Sequence, residues 1–250
     1  MAFDRVMFGI GTANLGSRKN KYAPAVQEAR FLEILDLGIN RVDTADSYSS
    51  SNSEKFLSKI LKLRPDTLVT TKVGGFFSKL PKPANEIVTN SRVYQKFNII
   101  YNRGYSDFNP RIKPSSLETH LVKSLRRLKV NQVNCYLLHG VPKKEFVDDF
   151  IESLLILKDK GLTSSIGISI DKKIQMDLSW CDEVLIPAHH LDIYDSISAR
   201  LSLHGIFTSQ KEINTSIAKK FLSLPNSNSI ILGSLNPFVY TEAEKILNGI

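Results

Sequence analysis

Apolar and polar positions along the chain alternate between two rhythms, and the alternation repeats. Short apolar or alternating runs predict strands at Val6 to Gly11, Asn40 to Asp43, Thr67 to Lys72, Asn134 to His139, Ser164 to Ser169, Glu183 to Pro187 and Gly205 to Ser209. An eighth begins at Ser229 and runs into a turn ending at Pro237. Between them lie stretches with helical spacing. Ala25 to Leu37 places Ala25, Ala29, Leu32, Ile34 and Leu35 on one face and stops at Gly38. A Ser51 and Glu54 capping box opens a helix to Leu61, and a Ser115 and Glu118 box opens one through Leu128. Val147 to Lys160, closed by Gly161, Ser196 to Leu203 and Asn214 to Leu222 complete the helical set.

Strand and helix units of about 30 residues fit eight times into 250 residues, the usual size of a one-domain eight-unit barrel. The expected fold is therefore α/β, a single-domain (β/α)8 TIM barrel over 1–250. One connection breaks the rhythm. Val73 to Pro114 far exceeds the roughly 2 to 6 residues usual between strand and helix. It holds Phe76, Phe77, Tyr94, Phe97, Tyr101, Arg103, Tyr105, Phe108 and Arg111, which is too aromatic for disorder. Two readings stand: a substrate-binding lid or partner-contacting flap, or a satellite helix around Arg92 to Tyr101 packed on the barrel.

Three predicted strands end on ionisable residues, Asp43, Lys72 and His139, and Tyr48 follows Asp43 on a loop. In a parallel barrel all strand C-termini share one face, so these four side chains are expected there together. A buried carboxylate needs a cationic partner because an unpaired buried charge is very costly, and Lys72 is the candidate partner of Asp43.

These residues carry a resemblance. Asp43-Thr44-Ala45-Asp46-Ser47-Tyr48, Thr71-Lys72 and Leu137-Leu138-His139 are similar to motifs of the aldo-keto reductases. So are Gly9-Ile10-Gly11-Thr12-Ala13, Ser124-Leu125-Arg126-Arg127-Leu128 and Ile166-Gly167-Ile168-Ser169, six matches in order over nearly the whole chain. The resemblance implies an NAD(P)H-dependent oxidoreductase that reduces a small aldehyde or ketone, such as a sugar or sugar-nucleotide carbonyl, to an alcohol. In it Tyr48 is the general acid, Lys72 tunes that acid, Asp43 fixes Lys72, and His139 orients the carbonyl. It further implies NADP(H) or NAD(H) held at Gly11, Thr12, Ala13, Ser169, Ser209, Gly233, Ser234 and Asn236.

The chain also departs from the family pattern. Ile170 stands where an Asn usually follows Ser169, and Leu185 where a Gln is common. No Arg or Lys lies between Gly233 and Glu244, the segment from Ser209 to Asn228 is short, and the sequence stops at Ile250 without the tail of many relatives. Two other readings therefore stay open. One is a degenerate barrel that has lost firm cofactor binding and serves as a binding or regulatory protein; the other is an isomerase or dehydratase using Tyr48 and Lys72 as acid and base.

The net charge of +8 changes little. Its basic residues come as scattered pairs, Lys143-Lys144, Lys172-Lys173 and Lys219-Lys220, which suits solvated helix ends and a mild field for an anionic ligand better than nucleic-acid binding. Two cysteines, Cys135 and Cys181, make no disulfide framework and imply a reducing, cytoplasmic setting. The N-terminus has no basic region leading into an apolar run, and no segment reaches the roughly 18 apolar residues of a membrane helix, so neither a signal peptide nor a membrane span is expected. His189-His190 lacks a third ligand at suitable spacing, so no metal is expected.

Overall fold

The computed structural model describes residues 7–16, 20–75, 108–207 and 212–249. Eight strands form its centre: β1 (Phe8–Gly11), β2 (Arg41–Asp43), β3 (Leu68–Val73), β4 (Val133–His139), β5 (Thr163–Ser169), β6 (Glu183–Pro187), β7 (Arg200–His204) and β8 (Ser227–Leu232). Each pairs in parallel with the next, and β8 pairs with β1, so the sheet closes into a barrel. Around it, among the described residues, stand α1 (Pro24–Asp36), α2 (Asn52–Leu63), α3 (Leu117–Leu128), α4 (Val147–Asp159), α5 (Leu191–Tyr194), α6 (Thr215–Leu222) and α7 (Pro237–Asn248). The chain thus has the (β/α)8 fold that its periodicity predicts.

The helices dock through the positions that their spacing selects. In α3, Leu117, Leu121, Leu125 and Leu128 recur at helical intervals and are all buried; in α2, Phe56, Leu57, Ile60 and Leu61 are. These two helices are also tied by a charge pair, because Arg127 Nε donates to Glu54 Oε2 at 2.5 Å and Thr71 Oγ1 to Glu54 Oε1 at 2.8 Å. Glu54 is fully buried, and Arg127 satisfies its charge.

The barrel interior is layered. At the N-terminal end Arg41 reaches across to both oxygens of Glu183 (3.2 Å each), Ser202 donates to Glu183 at 3.0 Å, and Ser202 and Ser229 share a hydrogen bond. Above this polar floor sits an apolar plug of Cys135, Leu137, Leu185 and Ile231. Above the plug come the strand ends with Asp43, Lys72 and His139. Gly167 makes room for this packing, since a Cβ there would lie 1.8 Å from the carbonyl oxygen of Glu183.

Several expectations change. The seventh strand is Arg200–His204, not Gly205 to Ser209, and the helix expected over Ser196 to Leu203 is replaced by that strand and the shorter α5 upstream. Leu201 and Leu203 face outward into the helical layer while Ser202 faces the barrel axis, a period of two that Gly205 at φ 68 ends. Neither capping box forms. Ser51 sits at φ 68 with its hydroxyl on the carbonyl of Asp46 (2.8 Å), and Glu54 is taken by Arg127. Ahead of α3 the backbone N–H of Lys113 donates to Ser116 Oγ at 3.2 Å, and Glu118 pairs with Lys160 at 2.6 Å. Most of the long connection, residues 76–107 with the helix expected near Arg92 to Tyr101, lies outside the described residues.

Ser49, Ser50 and Ser51 form a run of three left-handed residues (φ 49, 53 and 68) directly after Tyr48. Each such non-glycine residue costs roughly 1 to 2 kcal/mol. Ser50→Gly relieves one of them and is expected to raise the thermal midpoint by about 2 °C, a shift that calorimetry resolves. Gly167→Ala is expected to destabilise by about 3 kcal/mol or more in urea unfolding, because the atom it would strike is backbone and cannot swing aside.

Candidate active site

Lys72 is the centre of the C-terminal rim. Its side chain has no exposed surface, and its ammonium donates three hydrogen bonds: to Asp43 Oδ2 at 2.6 Å, to the carbonyl of Thr44 at 3.0 Å, and to the hydroxyl of Tyr48 at 3.2 Å. An ammonium has three donors, so all are used. β2 and β3 are neighbours, which brings Asp43 beside Lys72, and the turn after β2 is held to β3 by Thr44 N to the carbonyl of Thr70 and Asp46 N to the carbonyl of Lys72. Tyr48 follows at the start of a 3-10 turn. His139 ends β4, and its ring meets that of Tyr48 edge-on with centroids 5.7 Å apart. The structure therefore gathers all four residues that the strand ends predict.

Their electrostatics differ in one respect from expectation. Burial pushes the Lys72 ammonium down, but the Asp43 carboxylate and the Tyr48 hydroxyl beside it outweigh that, leaving it at about 12. Burial pushes the Tyr48 phenol up, and the pull of Lys72 does not offset it, so the phenol lies above its ordinary 10 rather than below. Burial and the neighbouring Lys72 charge hold His139 down at about 3, so the imidazole is neutral. Among the described residues its buried Nδ1 has no partner, and Gly75 lies against it. A Cβ on Gly75 would come 2.2 Å from Ser47 Oγ and 2.9 Å from His139 Nδ1, so only glycine packs here without displacing those side chains.

The positions expected to bind a cofactor fare unevenly. Gly11 and Gly233 lie side by side, a Cβ on the first falling 3.6 Å from the Cα of the second. Thr12 is buried, with its hydroxyl on the carbonyl of Asp43 (3.0 Å), and the carbonyl of Ala13 accepts from Ser49 (3.1 Å). Ser169 is buried at the end of β5. At α7 the start is already capped from within: Asn236 N donates to Ser234 Oγ (3.1 Å) and Phe238 N to Asn236 Oδ1 (3.3 Å). Ser209 lies outside the described residues. Ile170 and Leu185 are both buried among apolar side chains and offer no side-chain hydrogen bond. The His139 nitrogen without a partner among the described residues, beside the Tyr48 ring, is a polar group that fits the reacting end of a nicotinamide and a carbonyl. Among the described residues, no group of three or more His, Cys, Asp and Glu is placed to hold a metal.

Two titratable rim residues escape a reading by strand ends. Asp171 stands two residues past β5, and His204 ends β7; their side chains meet at 3.3 Å. His204 was hidden by the misplaced seventh strand, whereas Asp171 carries the same signal as His139, a polar group just beyond an apolar strand.

Comparison with known proteins agrees with this architecture. An aldo-keto reductase of Bacillus halodurans, solved in its holo form, superposes with a TM-score of 0.69 at 18% identity, covering 96% of this chain and 86% of that one. An uncharacterized oxidoreductase of Bacillus subtilis is 27% identical over 162 residues, 64% of this chain and 44% of that protein. An NADH-specific methylglyoxal reductase of Escherichia coli is 26% identical over 142 residues, 54% of this chain and 38% of that protein. The chain thus spans less than half the length of these curated relatives. The sequence profile of the Aldo/keto reductase family matches residues 8–188, more than half of the chain. By that match, with the closed eight-stranded barrel and the motifs on its rim, the chain belongs to the aldo/keto reductase family.

Proposed function

We propose that this protein is an NAD(P)H-dependent oxidoreductase that reduces a small aldehyde or ketone to an alcohol, with Tyr48 as the general acid. The observation that carries the reading is a fully buried ammonium held between a carboxylate and a phenol, Lys72 Nζ at 2.6 Å from Asp43 and 3.2 Å from Tyr48. A bound nicotinamide supplies the hydride. The rest falls to the chain. The Tyr48 hydroxyl donates its proton to the carbonyl oxygen as negative charge builds there, and Lys72 stabilises the phenolate left behind. Asp43 holds Lys72 in place. His139 is neutral and can donate one hydrogen bond to the carbonyl without competing for its proton.

Gly11, Thr12, Ala13 and Ser169 are the residues of the rim that would hold the nicotinamide end, with Gly233, Ser234 and Asn236 toward the phosphates. Since the α7 start is self-capped and has no Arg or Lys before Glu244, the adenosine end has less to grip, and the choice between NADP(H) and NAD(H) is a matter for titration. The Escherichia coli relative acts on methylglyoxal with NADH, and a small polar carbonyl of that kind suits a mouth built from Tyr48, His139 and Asp171. A cytoplasmic setting belongs to the same proposal, in keeping with two buried free thiols.

Fluorescence titration with NADPH and with NADH tests the cofactor, and micromolar affinity for one of them is expected; no binding up to millimolar concentration overturns the reading in favour of a barrel without a cofactor. Tyr48→Phe is expected to lower kcat by about a thousandfold while leaving the nicotinamide Kd within about twofold. A variant that kept half its turnover would remove Tyr48 from the mechanism.

The neutral imidazole has a stability consequence as well. Between pH 6.5 and about 3 the unfolded chain carries a proton on His139 that the folded chain refuses, so stability falls as pH drops through that window. In His139→Phe the slope of unfolding free energy against pH is expected to be shallower there by up to about 1.4 kcal/mol per pH unit, measured by urea unfolding across the range.

A further inference from the structure

The turn that carries Tyr48 is held on one side by Lys72, and on its other side lies a buried group with no part in the reading above. Asp46 stands two residues before Tyr48 and is only 2% exposed. Asp43 and Tyr48 direct their side chains to the Lys72 ammonium, whereas Asp46 lies against α3, where His120 Nδ1 is 3.5 Å from its Oδ2. Among the described residues neither carboxyl oxygen of Asp46 makes a hydrogen bond, and the imidazole stands a short step beyond hydrogen-bond length.

The other groups around Asp46 are committed elsewhere or of the wrong kind. Arg127, also on α3, donates to Glu54 and Ser124. Glu54 faces Asp46 from α2 as a second anion, and the Tyr136 phenol, facing it from β4, makes no hydrogen bond to it. A buried carboxyl must be neutral or meet a cation. Burial does push Asp46 up, against the pull of His120. Whichever of the two carries it, one proton between carboxyl and imidazole gives the pair its contact.

This contact lies where the turn needs a hold. Asp46 N donates to the carbonyl of Lys72 (3.1 Å), Tyr48 N to that of Ala45 (3.2 Å) and Ser50 N to that of Ser47 (3.2 Å), and the three strained left-handed serines follow at once. On the far side, α3 is itself fixed to α2 through Arg127 and Glu54. We propose that Asp46 and His120 are a positioning pair for Tyr48, fastening the turn that carries the acid to α3 so that its hydroxyl stays at Lys72. This rests on Tyr48 being the acid of the proposed reaction.

The test reads the turn itself, by amide hydrogen exchange followed by NMR without substrate. In His120→Ala the amides of Asp46, Tyr48 and Ser50 are expected to exchange about tenfold faster, while those of β5 and α4 keep their rates. In carbonyl reduction kcat is expected to fall about tenfold with KM within about twofold, because the acid is misplaced rather than removed. His120→Asn, whose amide nitrogen stands where Nδ1 does, is expected to restore both readouts. Asp46→Ser, a second variant should the first fold poorly, is expected to match His120→Ala, and the two together to be no worse than either alone. Wild-type exchange at the turn in a folded His120→Ala overturns the proposal. So does faster exchange spread evenly over the barrel, which marks a loss of global stability, and so does a double variant whose losses multiply. A wild-type protein without turnover would instead remove the proposed function, and the exchange measurement, which needs no substrate, separates the two failures.

Discussion

The rim of this barrel depends on how one ammonium is solvated by protein. Lys72 is withdrawn completely from water, and an ion so placed costs several kcal/mol unless its donors are all met. They are met by three different pieces of chain: the end of β2 through Asp43, the turn after it through Thr44, and the loop beyond through Tyr48. The same atom therefore fixes strand, turn and loop. A slip of one residue between β2 and β3 would carry Lys72 to the outside of the barrel and Thr71 to the inside, leaving Asp43 without a cation, so the ion pair and the register enforce each other.

β3 is anchored from its other face too. Thr71, next to Lys72, points outward and donates to Glu54, which Arg127 neutralises from α3. Three of the four buried carboxylates among the described residues thus have a cation nearby: Glu183 with Arg41 at the floor, Asp43 with Lys72 at the rim, Glu54 with Arg127 outside the sheet; the fourth, Asp46, has only the His120 imidazole, 3.5 Å away. The apolar plug of Cys135, Leu137, Leu185 and Ile231 separates floor from rim, so the ion pairs at the two ends are insulated by an apolar layer rather than joined in one network. Rim chemistry can vary while the floor continues to hold the barrel closed.

What could be read from sequence follows this division. Asp43, Lys72 and His139 were legible because an ionisable group at the end of an apolar strand is rare unless the strand delivers it somewhere. The barrel was legible from its repeat. The seventh strand was misplaced because its inward position is Ser202, which meets Glu183 and Ser229 on the polar floor and so breaks the apolar run by which a strand is recognised. The capping boxes failed for a related reason: their Ser and Glu spacing was right, but Glu54 and Glu118 find cations 73 and 42 residues away, which a pattern of four residues cannot contain. Thr12 and Asn236 likewise spend their side chains on the chain itself, a fact visible only once the turns are folded.

The phenol is where sequence and structure pull hardest against each other. A lysine next to a tyrosine argues for an easily ionised phenol, since the cation favours the phenolate. In the folded chain that cation is already engaged by Asp43 at 2.6 Å, and a paired charge acts on its surroundings as a short dipole whose field falls faster than that of a lone ion. Burial then outweighs the pull of Lys72, and Tyr48 keeps its proton. For a residue that must enter the reaction as a donor this is the useful direction. The ammonium matters less for the resting phenol than for the moment of transfer, when the proton leaves and a negative oxygen appears 3.2 Å from a positive nitrogen that needs no rearrangement to meet it.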